Sequence, residues 1–228
     1  MSRAIGILGG MGPAATIDLM ARIVAATPAG GDAGHLRLLV DSDPSIPDRN
    51  RAIAGEGPSP SPALVAMARG LERQGAQMLA IACNSAHAWA ADIRGATHVP
   101  LVSMIDATIA AIARDHPDVR RIGLLAADAC LGADLYQSPL IAAGHAVLVS
   151  DDQPGFMALV YGVKAGDIGK AARAAMAAQA SDLVARGAEL IVAACTEVPL
   201  LLGPADCPVP LVDSTDALVH ALVAEATR

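Results

Sequence analysis

The sequence predicts an α/β fold of two similar, doubly wound parallel-sheet domains related by an internal pseudo-symmetry. Three observations carry that reading. Gly75-Ala-Gln-Met-Leu-Ala-Ile-Ala-Cys83-Asn recurs as Gly187-Ala-Glu-Leu-Ile-Val-Ala-Ala-Cys195-Thr, with glycine and cysteine at the same spacing in both copies. The flanks repeat in the same order: Arg3-Ala-Ile-Gly-Ile-Leu8 is echoed by Arg121-Ile-Gly-Leu-Leu125, and Val99-Pro-Leu-Val102 with Asp106 by Val209-Pro-Leu-Val212 with Asp216. A period this long exceeds any solenoid repeat and fits a duplicated domain. Finally, short apolar runs alternate with longer Ala-rich, helix-favouring segments, the pattern of βαβ units whose helices cover both faces of a parallel sheet.

Taken in order, the first half places strands over 5–8, 36–40, 78–82 and 99–102, and the second over 122–125, 146–149, 190–193 and 209–212. Each is a short, mostly apolar run of the kind a sheet buried on both faces requires. One segment breaks the alternation. Between Ser42 and Pro62, Pro44, Pro47, Pro58, Pro60 and Pro62 together with Gly55 and Gly57 predict some twenty residues without regular structure, read as a mobile lid carrying Arg49 and Arg51. The repeat divides the chain into a first domain of residues 1–103 with 213–228, carrying Cys83, and a second of residues 104–212, carrying Cys195.

Composition narrows the function classes. A chain of 228 residues is long enough for two cores, and with one Trp, two Tyr and one Phe those cores are built from aliphatic side chains. The net charge of −7 and the lack of a basic, aromatic-rich stretch argue against a nucleic-acid partner. Asp106, Glu189 and Glu197 interrupt the longest apolar stretches before the roughly 18 residues of a membrane span, and glycines break the first apolar run, which reads as a strand rather than a signal peptide. A cytoplasmic protein with free thiols is expected. Cys83, Cys130, Cys195 and Cys207 form no CxxC pair and show no metal-type spacing, so no metal site is expected.

Chemistry concentrates at the duplicated cysteines. Each ends an apolar run and is followed by Asn84-Ser85 or Thr196-Glu197; a helix starting there would turn free N–H groups toward the sulfur and favour the thiolate, whose ordinary pKa is about 8.5. Two thiols placed alike in two halves can face one molecule from opposite sides, which suits inversion of a carbon centre. Cys130 and Cys207, outside the repeat, read as packing residues. A competing signal is the glycine-rich turn after the first strand, where Gly10, Gly12 and Ala15 match a loose GxGxxA dinucleotide loop and leave a nicotinamide-dependent oxidoreductase open.

Five motifs in order, Gly9-Gly-Met-Gly-Pro-Ala-Ala-Thr16, Pro47-Asp48-Arg49, Cys83-Asn-Ser-Ala-His87, Tyr161-Gly-Val-Lys164-Ala-Gly and Cys195-Thr-Glu197, resemble the aspartate racemase branch of the aspartate/glutamate racemase superfamily over nearly the whole chain. The resemblance implies a cofactor-independent racemase (no PLP), with its site in the cleft between the domains, an acidic amino acid as substrate and a homodimer. It implies Cys83 and Cys195 as the two bases, Cys195 acting on the L-enantiomer and Cys83 on the D-enantiomer. Arg49 and Lys164 would hold the distal carboxylate, and Asn84, Ser85 and Thr196 would donate to the α-carboxylate, with Met11 of the glycine turn also lining the site. Glu197 and His87 would orient a neighbour or satisfy local hydrogen bonds. The chain departs from the family at Ala126-Ala127-Asp-Ala-Cys130, where threonines that help hold a carboxylate commonly stand, and at Ser85, more often threonine. Glutamate or broad-specificity racemisation, and a non-catalytic dicarboxylate-binding protein, remain alternatives.

Overall fold

The computed structural model describes residues 2–228. In chain order it contains β1 (Ile5–Gly9), α1 (Pro13–Ala26), β2 (Leu38–Ser42), α2 (Arg49–Ile53), α3 (Ser61–Arg73), β3 (Met78–Ile81), α4 (Ala90–Ala96) and β4 (Leu101–Val102). There follow α5 (Met104–Asp115), β5 (Arg121–Ala126), α6 (Asp128–Gly132), α7 (Gln137–Ala142), β6 (Ala146–Val149), α8 (Gln153–Lys164), α9 (Lys170–Ala185), β7 (Leu190–Ala194), β8 (Leu211–Asp213) and α10 (Ser214–Ala226). All eight expected strands are present. They form two four-stranded parallel sheets of the same order, β2-β1-β3-β4 and β6-β5-β7-β8.

The duplication extends to individual contacts. A Cβ on Gly6 of β1 would stand 2.8 Å from Leu79 Cδ2, 2.9 Å from Ala76 Cβ and 3.2 Å from Leu71 Cβ; on Gly123 of β5 it would meet Ile191 Cδ1, Ala188 Cβ and Leu183 Cβ at 2.6, 3.1 and 3.1 Å. In each half, glycine at the centre of the middle strand lets the helix before the next strand close onto the sheet. That helix ends at Gly75 or Gly187, with φ of +97° and +99°, the left-handed turn that glycine adopts without a Cβ clash.

Each sheet is covered on both faces, which is why its strands read as continuous apolar runs. On one face of the first sheet, Ile5, Ile7, Met78 and Ala80 pack against Leu19 and Ile23 of α1 and Leu218 and Leu222 of α10; on the other, Leu8, Leu79 and Ile81 meet Leu64, Leu71 and Ile93. In the second sheet, Ile191 and Ala193 face Phe156, Val160, Met176 and Leu183, while Ile122, Leu124 and Val192 face Ile112, Tyr136 and Leu140. Helix α5 links the two, sending Met104 into the first core and Ile105 into the second.

The proline-rich segment corrects the sequence expectation, because residues 42–62 are not structureless throughout. Asp48 caps α2, accepting from the amides of Asn50 (2.8 Å) and Arg51 (3.0 Å), and α3 begins at Ser61. The prolines confine regular structure to the one stretch they leave free, and an aspartate cap is enough to start a single turn there.

Candidate functional site

Cys83 and Cys195 stand at equivalent positions, just past the carboxyl ends of β3 and β7, where open α/β sheets collect ligands. Both are buried and line one cavity between the sheets, with Met11, Arg49, Asn50, Asn84, Ser85, Ala127, Lys164, Thr196 and Glu197 completing the wall around about 280 Å³ of empty space. The structure therefore brings all eight residues singled out from the sequence to one place. A larger groove, about 1240 Å³ between α5 and α10, contains neither cysteine.

The setting of Cys195 differs from the expectation of a helix-activated thiolate. No α-helix starts directly after either cysteine; the chain first makes short 3₁₀ turns over Ser85–Trp89 and Val198–Leu200, too short to present a substantial dipole, and α4 begins only at Ala90. Burial pushes the Cys195 thiol well above its ordinary range, and the neighbouring Glu197 carboxylate raises it further, against smaller opposing effects of the Glu197 amide and Lys164. The thiol donates to Glu197 Oε2 at 3.0 Å, and the Thr196 hydroxyl donates to the same oxygen at 3.2 Å. Glu197 Oε1 is buried and has no hydrogen-bond partner among the described residues.

Arg49, at the start of α2, is buried. Its Nη1 donates to the carbonyls of Pro47 (3.1 Å) and Ile46 (3.4 Å) and its Nη2 to that of Met11 (3.4 Å), while Nε has no partner among the described residues. Among the described residues no carboxylate pairs with Arg49 or Lys164. Lys164, in the last turn of α8, places Nζ 5.4 Å from the centre of the Tyr161 ring, a cation–π distance.

Asn84 is placed as expected but its carboxamide is committed elsewhere. Its Oδ1 accepts from the Tyr136 hydroxyl at 2.6 Å and its Nδ2 donates to Ser214 Oγ at 3.0 Å, which in turn donates to the Ala193 carbonyl at 2.7 Å. This side chain braces the two sheets behind the cysteines. His87 is likewise structural: Nδ1 donates to the Cys83 carbonyl at 2.9 Å, Nε2 accepts from the Met104 amide at 3.1 Å, and burial lowers its pKa to about 4, so the ring is neutral. Cys130, fully buried in the second core, is pushed up by desolvation and is inert at neutral pH.

Asn50 and Ala127 were not singled out from the sequence. Asn50 donates to the Tyr161 hydroxyl at 3.0 Å and accepts from the Ala129 amide at 2.9 Å, joining α2 to α8 and to the start of α6. Its one sequence signal is its position beside Arg49 in the capped turn. The glycine loop is closed on itself: the Gly10 amide donates to Thr16 Oγ1 (2.9 Å), whose hydroxyl donates to the Gly12 carbonyl (3.1 Å). A dinucleotide pyrophosphate needs such amides free. Among the described residues no His, Cys, Asp and Glu side chains gather as a metal-binding group, and no helix is long and apolar enough to cross a membrane.

Residues 8–222 match the profile of the Asp/Glu/Hydantoin racemase family. The chain is 25% identical over 224 residues to the broad specificity amino-acid racemase RacX of Bacillus subtilis, covering 96% of each. Among solved structures it is similar to an aspartate racemase from Picrophilus torridus, with a TM-score of 0.90 and 28% identity over 99% of this chain and 94% of the other. The fold is also that of glutamate racemase from Francisella tularensis, with a TM-score of 0.74 at 17% identity over 98% of this chain and 80% of the other.

Proposed function

Because this chain belongs to the Asp/Glu/Hydantoin racemase family and is an amino acid racemase, we propose that it interconverts L- and D-aspartate with two thiols and without a cofactor. The observation that carries the reading is the equivalent placement of Cys83 and Cys195 on the walls of a single cavity. Removing an α-proton leaves a carbanion beside a carboxylate, which needs preorganised donors and exclusion of water. Cys195, whose thiol is raised by burial and by Glu197, is the proton donor in the resting pair. Cys83 takes the α-proton of the D-enantiomer while Cys195 gives its own to the opposite face, and the pair is left in swapped states, ready for the L-enantiomer.

Arg49 supports an acidic substrate. A buried cation solvated by carbonyls alone leaves part of its desolvation cost uncompensated, and an incoming carboxylate offsets it. Lys164 adds a second positive charge on the same wall. Ser85 and the backbone N–H of Thr196 are assigned to the α-carboxylate, the Thr196 hydroxyl being given to Glu197; Asn84 acts by bracing. The broad-specificity reading is favoured by one feature, the methyl group of Ala127 on the wall, which makes no demand on the substrate side chain. The same reading divides the chain into residues 1–103 with 213–228 and residues 104–212, since α10 fills the first core. Loss of circular dichroism from separate L- and D-aspartate, glutamate and alanine tests all of this. Turnover of aspartate far above alanine supports the acidic reading, comparable rates support the broad one, and no turnover refutes both.

A further inference from the structure

We propose that Glu197 is the proton relay that resets Cys195 between turnovers, passing a proton between the thiol and solvent. The inference rests on the racemase reading above. A two-thiol reaction leaves the free enzyme in one of two protonation states after each turnover, so net conversion of one enantiomer requires the pair to swap protons with something other than substrate. Cys195 is only 6% exposed, so the side chain hydrogen-bonded to its sulfur is its most direct route to solvent.

One neighbour fits. Glu197 Oε2 accepts the Cys195 proton at 3.0 Å, and the only other side chain bonded to that oxygen among the described residues is Thr196. Its second oxygen, Oε1, has no partner among the described residues, belongs to a residue only 3% exposed, and lies 3.5 Å from where a Cβ would stand on Gly12. Glu197 is also a wall of two spaces. On one side is the cavity with the cysteines; on the other is a groove lined by Gly12, Pro13, Ala14, Val163, Gly166 and Leu200, several of them exposed. A carboxylate can receive a proton on one oxygen and release it from the other. The step balances: the Cys195 S–H bond breaks as an O–H bond forms on Glu197, giving thiolate and carboxylic acid, and the acid then gives its proton to water or a buffer base in the groove. The reverse sequence reprotonates the thiol. Lys164, the other titratable group shared by both spaces, keeps the balance of charge as the thiolate forms.

The test is a tracer perturbation on Glu197→Gln. An equilibrated mixture of labelled D- and L-substrate is challenged with excess unlabelled L-enantiomer; if the free enzyme resets slowly, it is held in the form that accepts D, and label is driven transiently into L. The concentration at which this begins depends on the resetting rate divided by kcat/KM. A merely damaged site lowers kcat/KM and moves the threshold up, whereas a lost relay moves it down. The expected result is a threshold at least tenfold below wild type. An unchanged or raised threshold overturns the relay. If Glu197→Gln turns nothing over, Glu197→Asp decides, since it keeps a carboxylate on a shorter arm: a lowered threshold supports the relay, and an unchanged threshold or no turnover overturns it. Failure of the wild-type chain to racemise any amino acid sinks the racemase reading itself, before the variant is measured.

Discussion

The Tyr136 hydroxyl donates to Asn84 Oδ1 across 2.6 Å of buried space, so a core residue of the second sheet fixes the residue that follows Cys83 in the first. Tyr136→Phe leaves that oxygen without its donor at nearly constant volume. A loss of about 1–3 kcal/mol in unfolding free energy is expected, the scale for an unsatisfied buried polar group, together with reduced kcat. Urea unfolding checks the first and racemisation the second; a variant as stable as wild type would show that the brace is dispensable.

The two bases should be separable. Cys195→Ala is expected to abolish racemisation while Cys83 still exchanges the α-proton of the D-enantiomer with deuterated water, with retention; Cys83→Ala should leave the complementary exchange for the L-enantiomer. In the wild type, deuterium should enter mainly the inverted product. Near-wild-type racemisation by either variant, followed by polarimetry and mass spectrometry, would mean that one base serves both faces.

Arg49→Ala should cost about 2–5 kcal/mol in kcat/KM for aspartate, the range for truncating one partner of a buried charge pair, and far less for alanine. Because Arg49 also holds the carbonyls of Pro47 and Met11, a purely structural role predicts equal losses for both substrates. The comparison of the two substrates therefore decides.

His87 makes stability depend on acid. Its pKa falls from 6.5 unfolded to about 4 folded, because burial disfavours the imidazolium. Between those values the unfolded chain binds the extra proton, so stability rises with pH across the window and is lost as pH falls from 6.5 toward 4. The full effect is about 3 kcal/mol at 1.36 kcal/mol per pKa unit. Unfolding free energies at pH 4, 5.5 and 7 should show this slope in the wild type and a shallower one in His87→Gln. Parallel slopes would remove His87 from the account.

Gly123→Ala places a methyl 2.6 Å from Ile191 Cδ1 and should destabilise by about 1–3 kcal/mol, as overpacking does. Ile191→Val, which deletes that carbon, should recover part of the loss in the double variant. Additive losses would mean that the strain lies instead at Ala188 or Leu183.

The sequence by itself determined the architecture and which residues gather around one cavity. A duplicated run from Gly75 to Cys83 and from Gly187 to Cys195 sets strand position, helix end and thiol in each half, because these are local matters of periodicity and of glycine's left-handed turn, and the eight strands fell where the apolar runs placed them. Tertiary structure decided what each site residue does there. Asn84, read as a donor to substrate, is consumed by Tyr136 and Ser214, residues 52 and 130 positions away. Cys195, read as activated by a following helix, is held as a thiol by burial and by Glu197. Arg49, read as a lid residue in an irregular loop, is buried at the start of a capped turn. Asn50 and Ala127 entered the wall without a motif of their own. Hydrogen-bond partners and desolvation depend on what the folded chain brings beside a group from the other half, and no local pattern encodes that.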